Sequence, residues 1–289
     1  MPTGLRALAY FTVTASQSDR QAFEVAGEST TMVEQEQPRR LMPSNYIITM
    51  QEGCGMRFRV IDIETTGLMP PAEIIEIGCV DVVAENGLIS IEPPRSQLFR
   101  PLRGISPETM AVHHITERDF QRDTPSCSDA LLLSLTSQSP EPDVLVAHNC
   151  EFERRFISEF ASNGLPWICT HKTALRVWPD APRHSNQVLR YWRGLVLDEA
   201  LAMPPHRAGP DAWVTAHLLV ELLEGASAEE MIEWASKPGK LPSITFGKHK
   251  GSKWPDVPTD YLHWMTRQKD MNADAVFCAN EEIARRNAG

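Results

Sequence analysis

Three strand-like runs follow one another at residues 57 to 64 (RFRVIDIE), about 73 to 84 (EIIEIGCVDVVA) and 87 to 99 (GLISIEPPRSQLF). Runs rich in β-branched residues, separated by short turn signals, pair as an antiparallel meander. A meander needs a cover, so it limits what the rest of the chain can do. Pro93 and Pro94 interrupt the third run and put a bulge or an edge there, because proline cannot donate to a strand ladder. The spacing then turns helical at about 125 to 136, returns to a short buried strand at 143 to 147 (DVLVA), and is helical again at 151 to 163, 185 to 193, 211 to 224 and 228 to 235. Strands first, helices after, and one late strand predict a mixed α/β sheet flanked by helices.

The ends differ from this middle. Residues 1 to 55 lack sustained periodicity and are rich in Ser, Thr, Gln and Glu, which predicts an extension with little order. Met56 directly precedes the first strand and is the expected natural start; N-terminal sequencing of protein from the native gene tests this. Pro238, Gly239 and Pro242 mark a linker, dividing a domain at 56 to 236 from a small module at 237 to 289. His113 and His114 read as structural loop residues, as do His171, His217 and His263 as structural histidines.

At 289 residues and 42% hydrophobic, the chain can bury a sizeable core. No stretch approaches the roughly 18 apolar residues that span a bilayer, and LRALAYFTVTAS is too short and Thr-rich for a signal peptide. The expectation is a cytoplasmic protein without a membrane partner. Six cysteines, at 54, 79, 127, 150, 169 and 278, form no CxxC pair, so reduced thiols are expected rather than a zinc site or a disulfide scaffold. A net charge of -10 does not suggest a protein that holds nucleic acid by bulk attraction. Charge is uneven, however: Lys237, Lys240, Lys248, Lys250 and Lys253, with His249, run without an intervening acid. Such a stripe is either a phosphate footprint or a solvated face. Trp254, Tyr261 and Trp264 follow it, and basic groups interleaved with aromatics suit a single strand, although the aromatics can equally pack a small helix.

The chemistry begins at the end of the first strand. Side chains at i and i+2 share a face, so Asp62 and Glu64 form one acidic patch in an otherwise apolar strand, with Thr65, Thr66 and Gly67 turning the chain at its end. Buried carboxylates repel unless a cation lies between them, and hard divalent ions prefer carboxylate oxygen. Alone, the pair is equally an ordinary strand-end acidic pair. Two later segments add to it. In AHNCEFERRF, His148 and Asn149 are placed to cap a helix, Phe152 and Phe156 form an i, i+4 stripe, and Glu153 falls on another face, free to point at the sheet's end; Glu151 reads as a first-turn acid. In PPHRAGPDAW, Asp211 opens a helix after Pro210, and His206 stands five residues earlier on a Pro- and Gly-rich loop, a placement suited to proton transfer.

DIETTG (62 to 67), HNCEFE (148 to 153) and HRAGPDA (206 to 212), in this order, resemble the three motifs of the DEDDh 3'-5' exonucleases. ISPETMAVHHITE (105 to 117), WICT (167 to 170), HSN (184 to 186) and ITFGKHKG (244 to 251) are similar to the exodeoxyribonuclease X branch of that family. The resemblance implies an RNase H-like fold and a 3'-5' exodeoxyribonuclease that removes nucleoside 5'-monophosphates from DNA 3' ends, single-stranded or duplex, in repair or strand trimming. It further implies that Asp62, Glu64, Asp211 and Glu153 hold two divalent cations, Mg²⁺ or Mn²⁺, and that His206 is the general base. Thr65, Thr66 and Gly67 would approach the terminal nucleotide. His148, Asn149, Ser185 and Asn186, with Lys248, Lys250 and Lys253, are candidate nucleic-acid contacts; Ser185 or Asn186 as a plain helix cap is the alternative. Glu153 departs from the family, which has aspartate there, and this predicts activity that is reduced or more dependent on Mn²⁺. Two other functions stay open: an exoribonuclease on the same fold, since the motifs do not read the sugar, and a weakened module that holds 3' ends.

Overall fold

The computed structural model describes Tyr46, Ile47 and residues 55–288. Apart from Tyr46, Ile47 and Gly55, the expected N-terminal extension lies outside the described residues, as does Cys54. The sheet is built around β2 (Met56–Thr65), which runs antiparallel to β3 (Ile74–Glu85) and parallel to β6 (Val144–Ala147); β6 in turn pairs in parallel with β7 (Trp167–Cys169). Pro93 and Pro94 split the third predicted run into β4 (Leu88–Ile91) and β5 (Arg95–Leu98), and both pair along the outer edge of β3. β1 (Tyr46–Ile47) adds to β4 and completes a seven-stranded mixed sheet.

Alternation along β2 divides the core. Phe58 and Val60 face a cluster that includes Val80, Val82, Val144 and Val146 and the long helix α6 (Ala208–Leu222). Ile61 and Ile63 face the other way, against Leu145, Ala147 and Leu132, the last from α2 (Asp129–Thr136). Charge is also buried away from the acids: every Arg59 nitrogen is engaged, by both oxygens of Asp81 at 2.7 Å and by the carbonyls of Leu135, Thr136, Gln138 and Pro140. The guanidinium thereby satisfies the carbonyls at the end of α2, which would otherwise be orphaned.

Several expectations are corrected. The helix predicted over 151 to 163 shrinks to α3 (Glu153–Phe156), because Ile157 leaves helical geometry and enters the second core with Ala161. His148 and Asn149 do not cap it; its cap position is Phe152, and Glu151 precedes it and pairs with Lys172 at 2.6 Å instead. His113 is not in a loop. It ends α1 (Pro107–His113), which Ser106 caps by accepting the Thr109 N–H and which has proline in its first turn, while His114 closes it in the left-handed conformation. The three-residue β7 was too short for periodicity to mark, and α4 (Thr170–Val177) was not among the expected helices. α5 (Asn186–Arg193) and α7 (Ala228–Ala235) match their predicted spans to within one residue.

Beyond Lys237, α8 (Thr259–Met265) and α9 (Ala273–Ala288) close over a separate apolar cluster of Ile244, Trp254, Val257, Leu262, Met265 and Cys278, among others. The Lys172 ammonium, buried in α4, bonds Glu151 and the carbonyls of Ala235 and Lys237, so it ties the chain entering this cluster to the second motif. The five described cysteines are free, and among the described residues no helix is long and apolar enough to cross a membrane.

Candidate active site

The ladder between β2 and β3 shifts register between Glu64 and Thr65, which ends the strand in a turn. Thr65 Oγ1 donates to the Gly67 carbonyl at 2.6 Å, and Thr66 exchanges bonds with Glu73 through its N–H and its Oγ1, both at 2.9 Å. This holds the acidic strand end rigid. Asp62 pairs with Gly78 across the ladder, and a Cβ on Gly78 would lie 2.2 Å from the Ala208 carbonyl carbon and oxygen. The missing side chain lets the first turn of α6 rest directly on β3. That seating delivers Asp211 to Asp62.

One oxygen each from Asp62, Glu64 and Asp211 lies within 4.8 Å of the others. Both Asp211 oxygens are oriented: Oδ1 accepts from Gln187 Nε2 at 2.9 Å and Oδ2 from the His206 backbone N–H at 2.8 Å. His206 adopts φ +60 with its side chain exposed beside this group. A left-handed backbone at a residue other than glycine is uncommon and strained, so the loop is held in a specific shape. Glu153 stands outside the 4.8 Å group but is buried, and its Oε2 has no hydrogen-bond partner among the described residues.

Burial and mutual repulsion raise the carboxyls of this acidic cage together. Burial pushes Asp62 well above the carboxylate range, and the charges of Asp211, Glu64 and Glu153 add to it. Glu64 is pushed up to about 8, by burial first and then by Asp211 and Glu76. Burial likewise raises Glu153 strongly, and raises Asp211 against the bonds from Gln187 and His206. An all-oxygen donor set, crowded and with one orphaned buried oxygen, fits hard divalent cations.

The profile of the RNase T exonuclease family matches residues 60–219, more than half the chain and every carboxylate of the cage. The chain belongs to this exonuclease family. The exonuclease is 36% identical over 217 residues to Exodeoxyribonuclease 10 of Escherichia coli (strain K12), which covers 73% of it and 91% of that relative. It superposes on the structure of Exonuclease X in complex with 5' overhanging duplex DNA with a TM-score of 0.52 and 37% identity, over 62% of this exonuclease and 99% of that chain. It is also 33% identical over 176 residues to DNA polymerase III PolC-type of Thermotoga maritima, 58% of the exonuclease and 12% of the polymerase. The mixed sheet with flanking helices is the RNase H-like fold of these exonucleases.

Of the other predicted contacts in the exonuclease, Asn149 is exposed at φ +74, with its carbonyl accepting from the Phe152 N–H. His148 is turned inward: its ring nitrogens meet Thr170 Oγ1 at 2.9 Å and the His184 carbonyl at 2.8 Å. Ser185 occupies the cap position of α5 without a side-chain cap bond, and Asn186 Nδ2 bonds the Asp211 carbonyl and Thr215 Oγ1. Three supporting residues escaped sequence reasoning: Gln187, which follows the quoted HSN; Arg207, inside the third motif; and Glu76, opposite Glu64 in the ladder. Cross-strand pairing with a known acid was the available signal for Glu76.

Proposed function

We propose that this exonuclease is a 3'-5' exodeoxyribonuclease that removes nucleoside 5'-monophosphates from DNA 3' ends, with residues 56–236 as its catalytic domain. The observation that carries this is the convergence of Asp62, Glu64 and Asp211 within 4.8 Å, with His206 bonded through its backbone to the same aspartate. Asp62, Glu64, Asp211 and Glu153 would hold two divalent cations, Mg²⁺ or Mn²⁺. When bound, such ions supply Lewis-acid stabilisation of charge on the phosphodiester. Gln187 and the His206 N–H orient Asp211 so that its oxygens enter the cage in a fixed pose. His206 takes a proton from the attacking water on an imidazole nitrogen, and the strained loop fixes where that ring stands. The Thr65–Gly67 turn, in which Thr65 is buried and Thr66 and Gly67 are partly exposed, and the exposed Asn149 border the cage and receive the terminal nucleotide.

DNA as substrate is supported by the 36% identity to Exodeoxyribonuclease 10 and by the likeness to Exonuclease X bound to duplex DNA. With that substrate we propose a cytoplasmic role in repair or strand trimming. The experiment is to incubate 5'-labelled DNA and RNA oligonucleotides with Mg²⁺ or Mn²⁺ and follow the ladder. Stepwise shortening of DNA is expected. Preferential shortening of RNA would replace the substrate, and retention without cleavage would leave a 3'-end binding module.

A further inference from the structure

The five lysines of the basic run separate into two kinds. Lys237 pairs with Glu233 and Lys240 with Glu281, both consumed within the fold. Lys248, Lys250 and Lys253 are exposed and, among the described residues, form no ion pair with an acid. They ride one tight turn. Gly247 and Gly251 take φ +66 and +87, the Gly251 N–H reaches the Ile244 carbonyl at 2.7 Å, and the Ile244 N–H reaches Ser252 at 3.0 Å.

That turn is seated on an aromatic row. A Cβ on Gly247 would come within 2.7 Å of Tyr261 Oη, so the turn touches the ring. Lys248 Nζ lies 5.4 Å from the Tyr261 centroid, the His249 ring is 4.5 Å from Tyr261, and the Trp264 ring lies tilted beside Tyr261 at 5.0 Å and 33°. Trp264 remains 45% exposed, an unusual state for the largest apolar side chain. Trp254 is not part of the row: it is buried, with its indole N–H donated to the Leu241 carbonyl at 2.6 Å. Two exposed acids follow the turn in sequence, Asp256 and Asp260, and one Asp260 oxygen accepts the Tyr261 N–H at the helix start.

We propose that this turn and row form a second nucleic-acid contact, a shelf for an unpaired DNA strand on which Trp264 stacks a base and Lys248, Lys250 and Lys253 hold the flanking phosphates. Lysines and ring faces in one unit match both the charge and the π-surface of a single strand, whereas the bases of a duplex are stacked on each other and offer no free face. The proposal rests on the exodeoxyribonuclease reading for its choice of DNA, and its position in the small module separates it from the catalytic cage.

The test uses the full chain and two variants, Lys248→Gln/Lys250→Gln/Lys253→Gln and Trp264→Ala. Binding of a fluorescein-labelled oligothymidylate of about 20 nucleotides is measured in EDTA across a salt series, with a blunt duplex as comparison. Hydrolysis of thymidine 5'-p-nitrophenyl phosphate with Mn²⁺ is measured in parallel, since this small ester occupies only the catalytic cage. The triple variant is expected to lower the single-strand salt slope by about 2. Trp264→Ala is expected to weaken single-strand binding about 5- to 150-fold at unchanged salt slope. Both should turn over the ester as the unmodified chain does, which shows that they are folded. Unchanged oligothymidylate affinity and slope in both variants would overturn the proposal, as would equal losses of Trp264→Ala on duplex and single strand. Failure of the unmodified chain to hydrolyse ester or DNA would strike the catalytic reading alone, because binding in EDTA is scored separately.

Discussion

Glu76 on β3 receives the guanidinium of Arg207 bidentately, Nε at 2.9 Å and Nη2 at 2.7 Å, and also accepts the Ala208 N–H at 3.0 Å. One buried carboxylate thus pins the residue after His206 and caps the helix that carries Asp211. Glu76→Gln keeps the shape but removes the charge from a mostly buried pair. We expect a loss of about 3 kcal/mol in urea unfolding and a fall of roughly 10- to 100-fold in kcat from a displaced His206 loop. A stability loss with kcat intact would make the pair purely structural.

Glu153 is buried with an unpaired oxygen, which is unfavourable in a protein without bound cation. Glu153→Gln is therefore expected to raise the melting temperature in EDTA while lowering nuclease turnover at least ~100-fold. Glu153→Ala that retained full activity with both Mg²⁺ and Mn²⁺ would remove this residue from the cage.

Burial, together with neighbouring acids, raises Asp62 and Glu153 and pushes Glu64 up to about 8. A carboxyl whose folded-state pKa is raised binds its proton more tightly when folded. The metal-free protein therefore has this stability in full below about pH 4 and loses it as pH rises towards 8. Cations need the deprotonated ligands and cancel their repulsion. Adding Mn²⁺ should accordingly raise the melting temperature more at about pH 8 than at about pH 5.5. Thermal unfolding at both pH values decides it, and an equal shift would show that the cations bind elsewhere.

Gln187 donates to Asp211 Oδ1 at 2.9 Å while its own oxygen accepts from buried Arg190 at 3.2 Å. Gln187→Leu keeps the side-chain bulk and frees the aspartate to rotate. Loss of such an orienting bond costs about 10- to 100-fold in cation affinity. A Mn²⁺ titration of activity should show that shift with kcat at saturation largely restored.

The meander and β6 were legible because β-branched runs and turn residues declare strands locally, and even the break at Pro93 and Pro94 falls where β4 gives way to β5. Asp62, Glu64 and Asp211 were legible because each sits at the start or end of a periodic element. What escaped depends on partners distant in sequence. The end of α3 is decided by where Ile157 finds a core, and the role of Glu76 by a guanidinium on another element. His148 had the right motif position, yet two internal hydrogen bonds claim its ring, and no local pattern encodes an acceptor supplied by His184.

The bare backbone at Gly78 has a consequence for how this protein tolerates change. What lies 2.2 Å from its missing Cβ is backbone, the carbonyl group of Ala208, and backbone cannot be relieved by choosing another rotamer. In a scan of all substitutions, position 78 would behave like a reacting residue although it touches no substrate, and no single compensating side-chain change could rescue it. The reach between the first and third motifs is thus set by an atom that is not there.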